Sequence, residues 1–364
     1  MPVPDPHPPA SPLARRFAER APLRARRERH LRLGLRLAAA FLALLALAMP
    51  LFLLASARVT PDWAAHVLPL LVGSLKAALY AIVVAVPLGL GVAIWCARFA
   101  PPAWRALLKP LFELFEAVPA VVLGLIAALL LAPWLLQHVL SLLVFVALLV
   151  PLLIASGFFW QRFAPATWQQ RCAGYEVALS LLPLLALAAV SVSVGHALAT
   201  TAWAALLQPL TPWNGLVVGL MLGLAVMPTV FSLAEDALFA VPAELALGAQ
   251  ALGATRWQAL WRLLLPVAAP GVVAALLLGF SRALGETMIV LMASGNTPLT
   301  GISPLTGLRS IAANLALEAP QAVPGSAGYG LLLLSALLLF CICLLLNLLA
   351  EQVRGRLRRR VAGL

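Results

Sequence analysis

Apolar positions along this chain come in long runs, and polar positions are confined to the gaps between them. Eight runs lie near the ~20 residues needed to cross a bilayer. They predict membrane helices at about 33–55, 68–96, 111–136, 138–159, 177–199, 214–234, 267–293 and 328–349. Only Gln137-His138 separates the third run from the fourth, and the fifth ends among Ser191, Ser193, Thr200 and Thr201. The pattern predicts an all-α polytopic membrane protein in three segments. Residues 1–62 form a basic tail and a first membrane helix. Residues 63–293 form a helical core, with a two-helix insertion at about 137–200 and a polar loop at 235–266. Residues 294–364 hold an external loop, the last membrane helix and a second basic tail.

Composition agrees: 63% of residues are hydrophobic and 10% are charged, a balance foreign to soluble chains of this length. A net charge of +12 could suit a nucleic-acid partner, but the positive residues sit at the ends and in short loops. With the N-terminus inside, 21 of the 25 Lys and Arg fall in segments 1–36, 97–110, 160–176, 235–266 and 350–364. The positive-inside rule then sets both termini in the cytosol. Arg58 and Arg309 are left in outside loops, and Lys76 and Arg282 fall within helices. The Arg-rich start and the apolar run ending near Ala55-Ser56-Ala57 resemble a signal peptide. That run exceeds the ~7–15 apolar residues such a peptide uses, so an uncleaved first helix is expected. Residues 1–32, rich in Pro and Arg, are expected to form a disordered cytosolic tail near anionic lipid.

Catalytic chemistry finds no foothold in the sequence. Cys96, Cys172, Cys341 and Cys343 lack metal-ligand spacing, and the five histidines are scattered without an HExxH motif. Lys76 and Lys109 each follow leucine, so the Gly-Lys of a nucleotide-binding P-loop is missing. No catalytic residue, metal site or cofactor is expected in this chain.

The loop before the seventh helix carries more information. Pro242 can open a short helix with Glu244 near its positive end. Gly253 allows a turn. Thr255 and Gln258 have capping-box spacing for a second helix, on which Trp257 and Trp261 share a face. Leu265-Pro266 then leads into the membrane helix that carries Arg282 and Glu286. Arg282 lies 16 residues past Pro266, or ~24 Å along a helix. A charge at that depth costs at least ~2.5–3.5 kcal/mol. Spacing of four lets Glu286 pair with Arg282, either as a structural ion pair or as support for a pathway cation. Guanidinium matches phosphate oxygens in a bidentate way. Lys76 can snorkel outward or add positive potential at a pathway mouth. Glu113 and Glu116 are expected near the cytosolic end, against the polar loop or Lys109. Ser303-Pro304 resembles an N-cap for a short amphipathic surface helix that Pro320 ends.

This loop resembles the cytosolic coupling motif of ABC importer permeases. Gly253, the nine residues Ala254–Arg262, Leu263 and Leu265-Pro266 match it. Leu247-Gly248-Ala249 stands where the family has Glu-Ala-Ala, so the acidic residue is missing; Glu244 lies three residues earlier. The flanks ALGATRWQALWRLLLP and SRALGETMIVLMASGNTP are similar to phosphate-specific permeases of the PstC type. So are SLKAALYAIVVAVPLG, FEAVPAVVLG and the C-terminal AEQVRGRLRRRVAGL. The resemblance covers most of 68–136 and 214–364, while the helices between 138 and 199 carry no readable motif. It implies a MetI-like permease core with a cytosolic coupling helix in the inner membrane. It also implies a second related permease, an ATPase dimer that uses ATP and grips Glu244, Gly253, Ala254, Thr255, Trp257, Trp261, Leu265 and Pro266, and an extracytoplasmic phosphate-binding protein. Arg282, Glu286 and Lys76 would line the substrate pathway. Sulfate or molybdate as substrate, and a non-transporting scaffold reporting phosphate status to a sensor kinase, remain open. The two tryptophans can equally pack on their own chain.

Overall fold

The computed structural model describes residues 34–42, 44, 47–165, 167–168, 176–201, 204 and 211–362. The N-terminal tail expected to be disordered lies outside them, as does part of the 160–176 loop. The chain divides into two compact units, Met1–Ala57 and Arg58–Leu364. The first holds α1 (Gly34–Ser56). The second is helical, and its helices follow the apolar runs. They are α2 (Trp63–Arg98), α3 (Pro102–Glu116), α4 (Ala120–Ile126), α5 (Ala132–Phe163), α6 (Glu176–Ala199), α7 (Gly215–Phe239), α8 (Ala243–Ala251), α9 (Arg256–Ala259), α10 (Leu265–Gly285), α11 (Met288–Ala293), α12 (Ile311–Glu318) and α13 (Ala327–Ala362). Among the described residues, seven helices are long and apolar enough to cross a membrane.

Seven rather than eight follows from one fusion. α4 and α5 join through a π-helical turn at Ala127–Leu131, giving a 41-residue apolar helix from Ala120 to Trp160. At 1.5 Å per residue it measures ~61 Å, about twice the ~30 Å hydrocarbon core. It bends at His138, whose φ of −117° and ψ of 16° are not helical. The bend falls at the Gln137-His138 boundary that the sequence sets between two spans. α6 folds back along α5, with Gly195 against Ser141 and the His138 and His196 rings 5.9 Å apart.

The centre of the second unit is the parallel pair α2–α7. Gly215, Gly219 and Gly223 recur every fourth residue on α7 and let it approach α2 closely, as small residues do between membrane helices. A Cβ at Gly219 would lie 2.6 Å from Tyr80 Cβ, and one at Gly223 2.6 Å from Val84 Cβ. Asn214 caps α7, its side chain accepting from the amides of Leu216 (3.1 Å) and Val217 (3.2 Å). α10 runs antiparallel to α7, with Gly271 against Ala237 and Gly279 against Val230. α13 packs on α10 through Leu357 and Cys343, and it continues through the basic tail to Ala362.

Two expectations are corrected here. The run 267–293 is not one helix: α10 stops at Gly285, Glu286 is extended (φ −71°, ψ 125°), and α11 begins at Met288. The short helix expected in the external loop begins after Ser310 instead of Ser303. The Ser310 side chain accepts from the Ala313 amide at 3.1 Å, and the Ile311 amide donates to Ser74 Oγ on α2 at 2.9 Å. That second bond holds α12 at this register and buries Ile311, Ala312, Ala313 and Asn314. The helix is therefore packed on the core, and Ser303-Pro304 opens a turn ahead of it.

Gly223→Leu is expected to push α2 and α7 apart and to cost at least the ~1–3 kcal/mol typical of overpacking. Gly91→Leu meets nothing within 4 Å and should be tolerated. Thermal unfolding of the detergent-purified variants compares them; equal stability would contradict the glycine seam.

Candidate functional site

α3 begins at Pro102, a favoured first helical position, and the spacing of Arg105, Lys109, Phe112 and Glu116 puts all four on one face. That face lies antiparallel along the second half of α7. The Arg105 guanidinium sits 4.4 Å from the Phe239 ring centroid. Lys109 Nζ lies 4.0 Å from Glu235 and 3.8 Å from Asp236. Phe112 stacks on Phe231 at 4.3 Å. At the end of the ladder, Thr229 Oγ1 donates to Glu116 Oε1 at 3.2 Å.

Arg282 enters the same point from α10. Its Nη1 donates both to Glu116 Oε1 and to Thr229 Oγ1. The predicted partner, Glu286, is instead one of the two residues between α10 and α11. Its carboxylate accepts from the Met288 amide at 3.2 Å and so serves the first turn of α11. Four residues of continuous helix would have brought Glu286 beside Arg282; the break after Gly285 turns it away. Glu116, expected beside the polar loop or Lys109, is the counter-ion, and Lys109 belongs to Glu235 and Asp236. Sequence reasoning missed Thr229 altogether. The periodic face of α3 was the available signal, but the apolar window began at residue 111 and left it out.

Two features mark this cluster as more than a packing contact. First, it lies deep: Thr229 is in the middle stretch of α7, and Arg282 is ~24 Å along its helix from Pro266. Second, it opens to the surface of the chain, with the Arg282 and Glu116 side chains 37% and 40% exposed. A charged pair facing hydrocarbon is costly. Unwound backbone at membrane depth, such as Glu286-Thr287, is tolerated only against protein or in a water-filled cavity. The face must therefore meet a second protein surface, an aqueous path, or both.

Lys76 does not snorkel. Its side chain is buried in α2 at 4% exposure, and Nζ has no hydrogen-bond partner among the described residues. A Cβ on Gly279 would lie 3.7 Å from Ile82 Cδ1, which fixes the register of α2 against α10. Counting from that contact, Lys76 sits about 4.5 Å further toward the N-terminal end of α2 than Arg282.

The polar loop forms an elbow. α8 buries no residue. Gly253 takes φ +91° in the turn, and the capping box forms: the Gln258 amide donates to Thr255 Oγ1 at 3.2 Å and the Thr255 amide to Gln258 Oε1 at 2.9 Å. The Leu265 amide reaches back to Leu260, a π-helical step directly ahead of Pro266, which has no amide hydrogen. Leu260 and Leu264 are buried with Cys96, Phe112, Phe231 and Leu238, so the root of the elbow shares a core with α2, α3 and α7. Trp257 meets Phe99 at 6.2 Å and Trp261 at 5.7 Å, yet the two tryptophans remain 58% and 55% exposed. Glu244, Gly253, Ala254, Thr255, Trp257, Trp261, Leu265 and Pro266 are thus one continuous structure. Arg282 and Lys76 lie on helices that pack together, while Glu286 serves the adjoining turn.

A polytopic helical protein with a broken helix, a charged site at membrane depth and an exposed elbow is a membrane transport component. Residues 85–361 match the family of binding-protein-dependent transport system inner membrane components, and the chain belongs to that family of multi-pass permeases. It is 26% identical over 290 residues to a probable ABC transporter permease protein of Bacillus subtilis, covering 80% of this chain and 72% of the relative. The phosphate transport system permease protein PstC 1 of Mycobacterium tuberculosis is 29% identical over 300 residues, 80% of this chain and 72% of its own length. PstC of Haemophilus influenzae is 28% identical over 296 residues, 80% of this chain and 76% of its own.

Glu235, 1% exposed, depends on Lys109 for its nearest cation. Lys109→Met is expected to lower stability in detergent by about 1–3 kcal/mol, the cost of stranding a buried polar group. Adding Glu235→Gln should recover most of it. A stable single variant, or a double variant no better than the single, would contradict this pairing.

Proposed function

We propose that this chain is a phosphate-translocating permease subunit of an ATP-driven importer, and that Arg282 is the cation its substrate meets. The observation that carries this reading is a guanidinium at membrane depth, beside a broken helix, on a face that lipid cannot cover. Discontinuous membrane helices line substrate sites in transporters, and the planar fork of arginine suits tetrahedral oxyanions. Lys76, whose buried amine has no hydrogen-bond partner among the described residues, adds positive potential on the same route. Relatives named as phosphate transport permeases support phosphate as the anion.

The remaining parts are read from the family resemblance and from the surfaces that the chain exposes. A second, related permease covers the Arg282 face. A pair of separate ATPases supplies the energy and grips the elbow, where exposed Trp257, Trp261 and Leu252 offer an apolar surface. A phosphate-binding protein delivers substrate from outside. Both termini lie in the cytosol, in keeping with the bias of Arg and Lys toward one side, the 41-residue helix crossing once on each side of its bend at His138.

ATP-dependent phosphate uptake by the reconstituted complex, with sulfate as the control anion, tests this reading. Arg282→Gln should abolish uptake while the complex still assembles, and Arg282→Lys should keep only part of it. Full uptake by an assembled Arg282→Gln complex would end the proposal. For the elbow, Gly253→Val has steric room but forces a β-branched residue into positive φ, at about 1–2 kcal/mol. Weaker co-purification of the ATPase is expected with insertion unchanged; normal association and uptake would contradict the coupling role.

A further inference from the structure

We propose that Glu116 is a built-in competitor for the transported anion. On the reading that Arg282 contacts substrate, the Glu116 carboxylate holds the guanidinium when no substrate is there, and the anion must exchange with it to bind. Three observations converge on this. Arg282 donates to Glu116 and to Thr229, and Thr229 donates on to the same Glu116 oxygen, so one carboxylate oxygen gathers the whole cluster. Only Nη1 of the guanidinium is engaged: Nε and Nη2 have no acceptor among the described residues, although the group carries five N–H donors. Both side chains are open on the same face of the chain.

These facts define an order of events. An anion arriving on the open face can first take the free edge of the guanidinium through Nε and Nη2. Glu116 then yields Nη1, because a carboxylate and a phosphate present similarly spaced oxygens to the same fork. When the anion leaves, Glu116 returns and the site is neutral again. The exchange keeps a lone cation from standing at membrane depth, where it is costly. It also limits how tightly an anion is held, which favours release. Glu116 is suited to this by its position: it ends α3, and Ala117-Val118 separate it from Pro119, which opens α4. Glu113, one turn earlier, is exposed, and the Glu286 carboxylate is engaged with the Met288 amide. Glu116 is therefore the carboxylate that competes at Arg282, as a positioning residue acting through it.

Equilibrium binding of radiolabelled phosphate to the purified complex of permeases and ATPases, without binding protein, tests the idea alongside uptake. Glu116→Gln keeps a hydrogen-bond acceptor but removes the competing charge. The assembled variant is expected to bind phosphate roughly three- to tenfold more tightly than the parent, the range of an ordinary net hydrogen-bond contribution, and to show a lower maximal uptake rate because release slows. Thr229→Ala, which removes the second hold while keeping both charges, should shift affinity in the same direction by less. Unchanged or weaker binding by assembled Glu116→Gln overturns the proposal, as does no measurable binding to it. If Glu116→Gln fails to assemble and Thr229→Ala binds like the parent, Glu116 is a structural tether and the proposal also falls. Arg282→Gln separates the two levels. Parental phosphate binding by that variant removes the pathway reading itself; lost binding there with no gain in Glu116→Gln removes only the competitor.

Discussion

An ion pair at membrane depth must be satisfied from every side, and the architecture around Arg282 is organised by that demand. Glu116 and Thr229 meet it from α3 and α7, and neither would reach it if α3 did not run antiparallel along α7. That arrangement is secured lower down by Phe112 on Phe231 and by Lys109 between Glu235 and Asp236. The glycine seam between α2 and α7 supplies the fixed frame. It is tightly packed, with no space for a Cβ at Gly215, Gly219 or Gly223.

The elbow connects to this frame at its root and is free at its tip. Leu260 and Leu264 share a core with Phe112 and Phe231, so a force on the elbow reaches α3 and α7 through packed side chains. It also reaches α10 directly, because Leu265-Pro266 starts that helix. The two sides of the Arg282–Glu116 contact thus both lead back to the elbow, one through the backbone and one through the core.

Much of this was legible in the sequence because membrane helices and caps are local signals. Apolar runs located most of the membrane-crossing helices, although the structure joins the third and fourth across Gln137-His138, where a break was expected and the helix bends instead; Gly253 with Thr255 and Gln258 gave the elbow turn and its capping box. The identity of the partner of Arg282 was not legible. Glu286 at four residues satisfies the helical rule perfectly well, and nothing in hydrophobic periodicity reports that the helix ends at Gly285. Glu116 is distant in sequence, and its pairing depends on the packing of α3, whose amphipathic face is hidden beside a longer apolar run. The external helix illustrates the same limit. Ser303-Pro304 and Ser310 are both acceptable starts, and the bond from the Ile311 amide to Ser74 on another helix decides between them.

The central claim is that the Arg282 face meets water or protein, never lipid. Gly285 lies beside that site, is exposed and has nothing within 4 Å of a Cβ built on it, so Gly285→Cys introduces a probe without a clash. In the assembled transporter, with the four native cysteines replaced, this cysteine can be challenged with a charged, membrane-impermeant thiol reagent across the nucleotide states of the ATPase. Labelling in at least one state, from an aqueous path, is the predicted result. Reaction only with a membrane-soluble reagent, in every state, would mean that the face lies against lipid and would contradict the account.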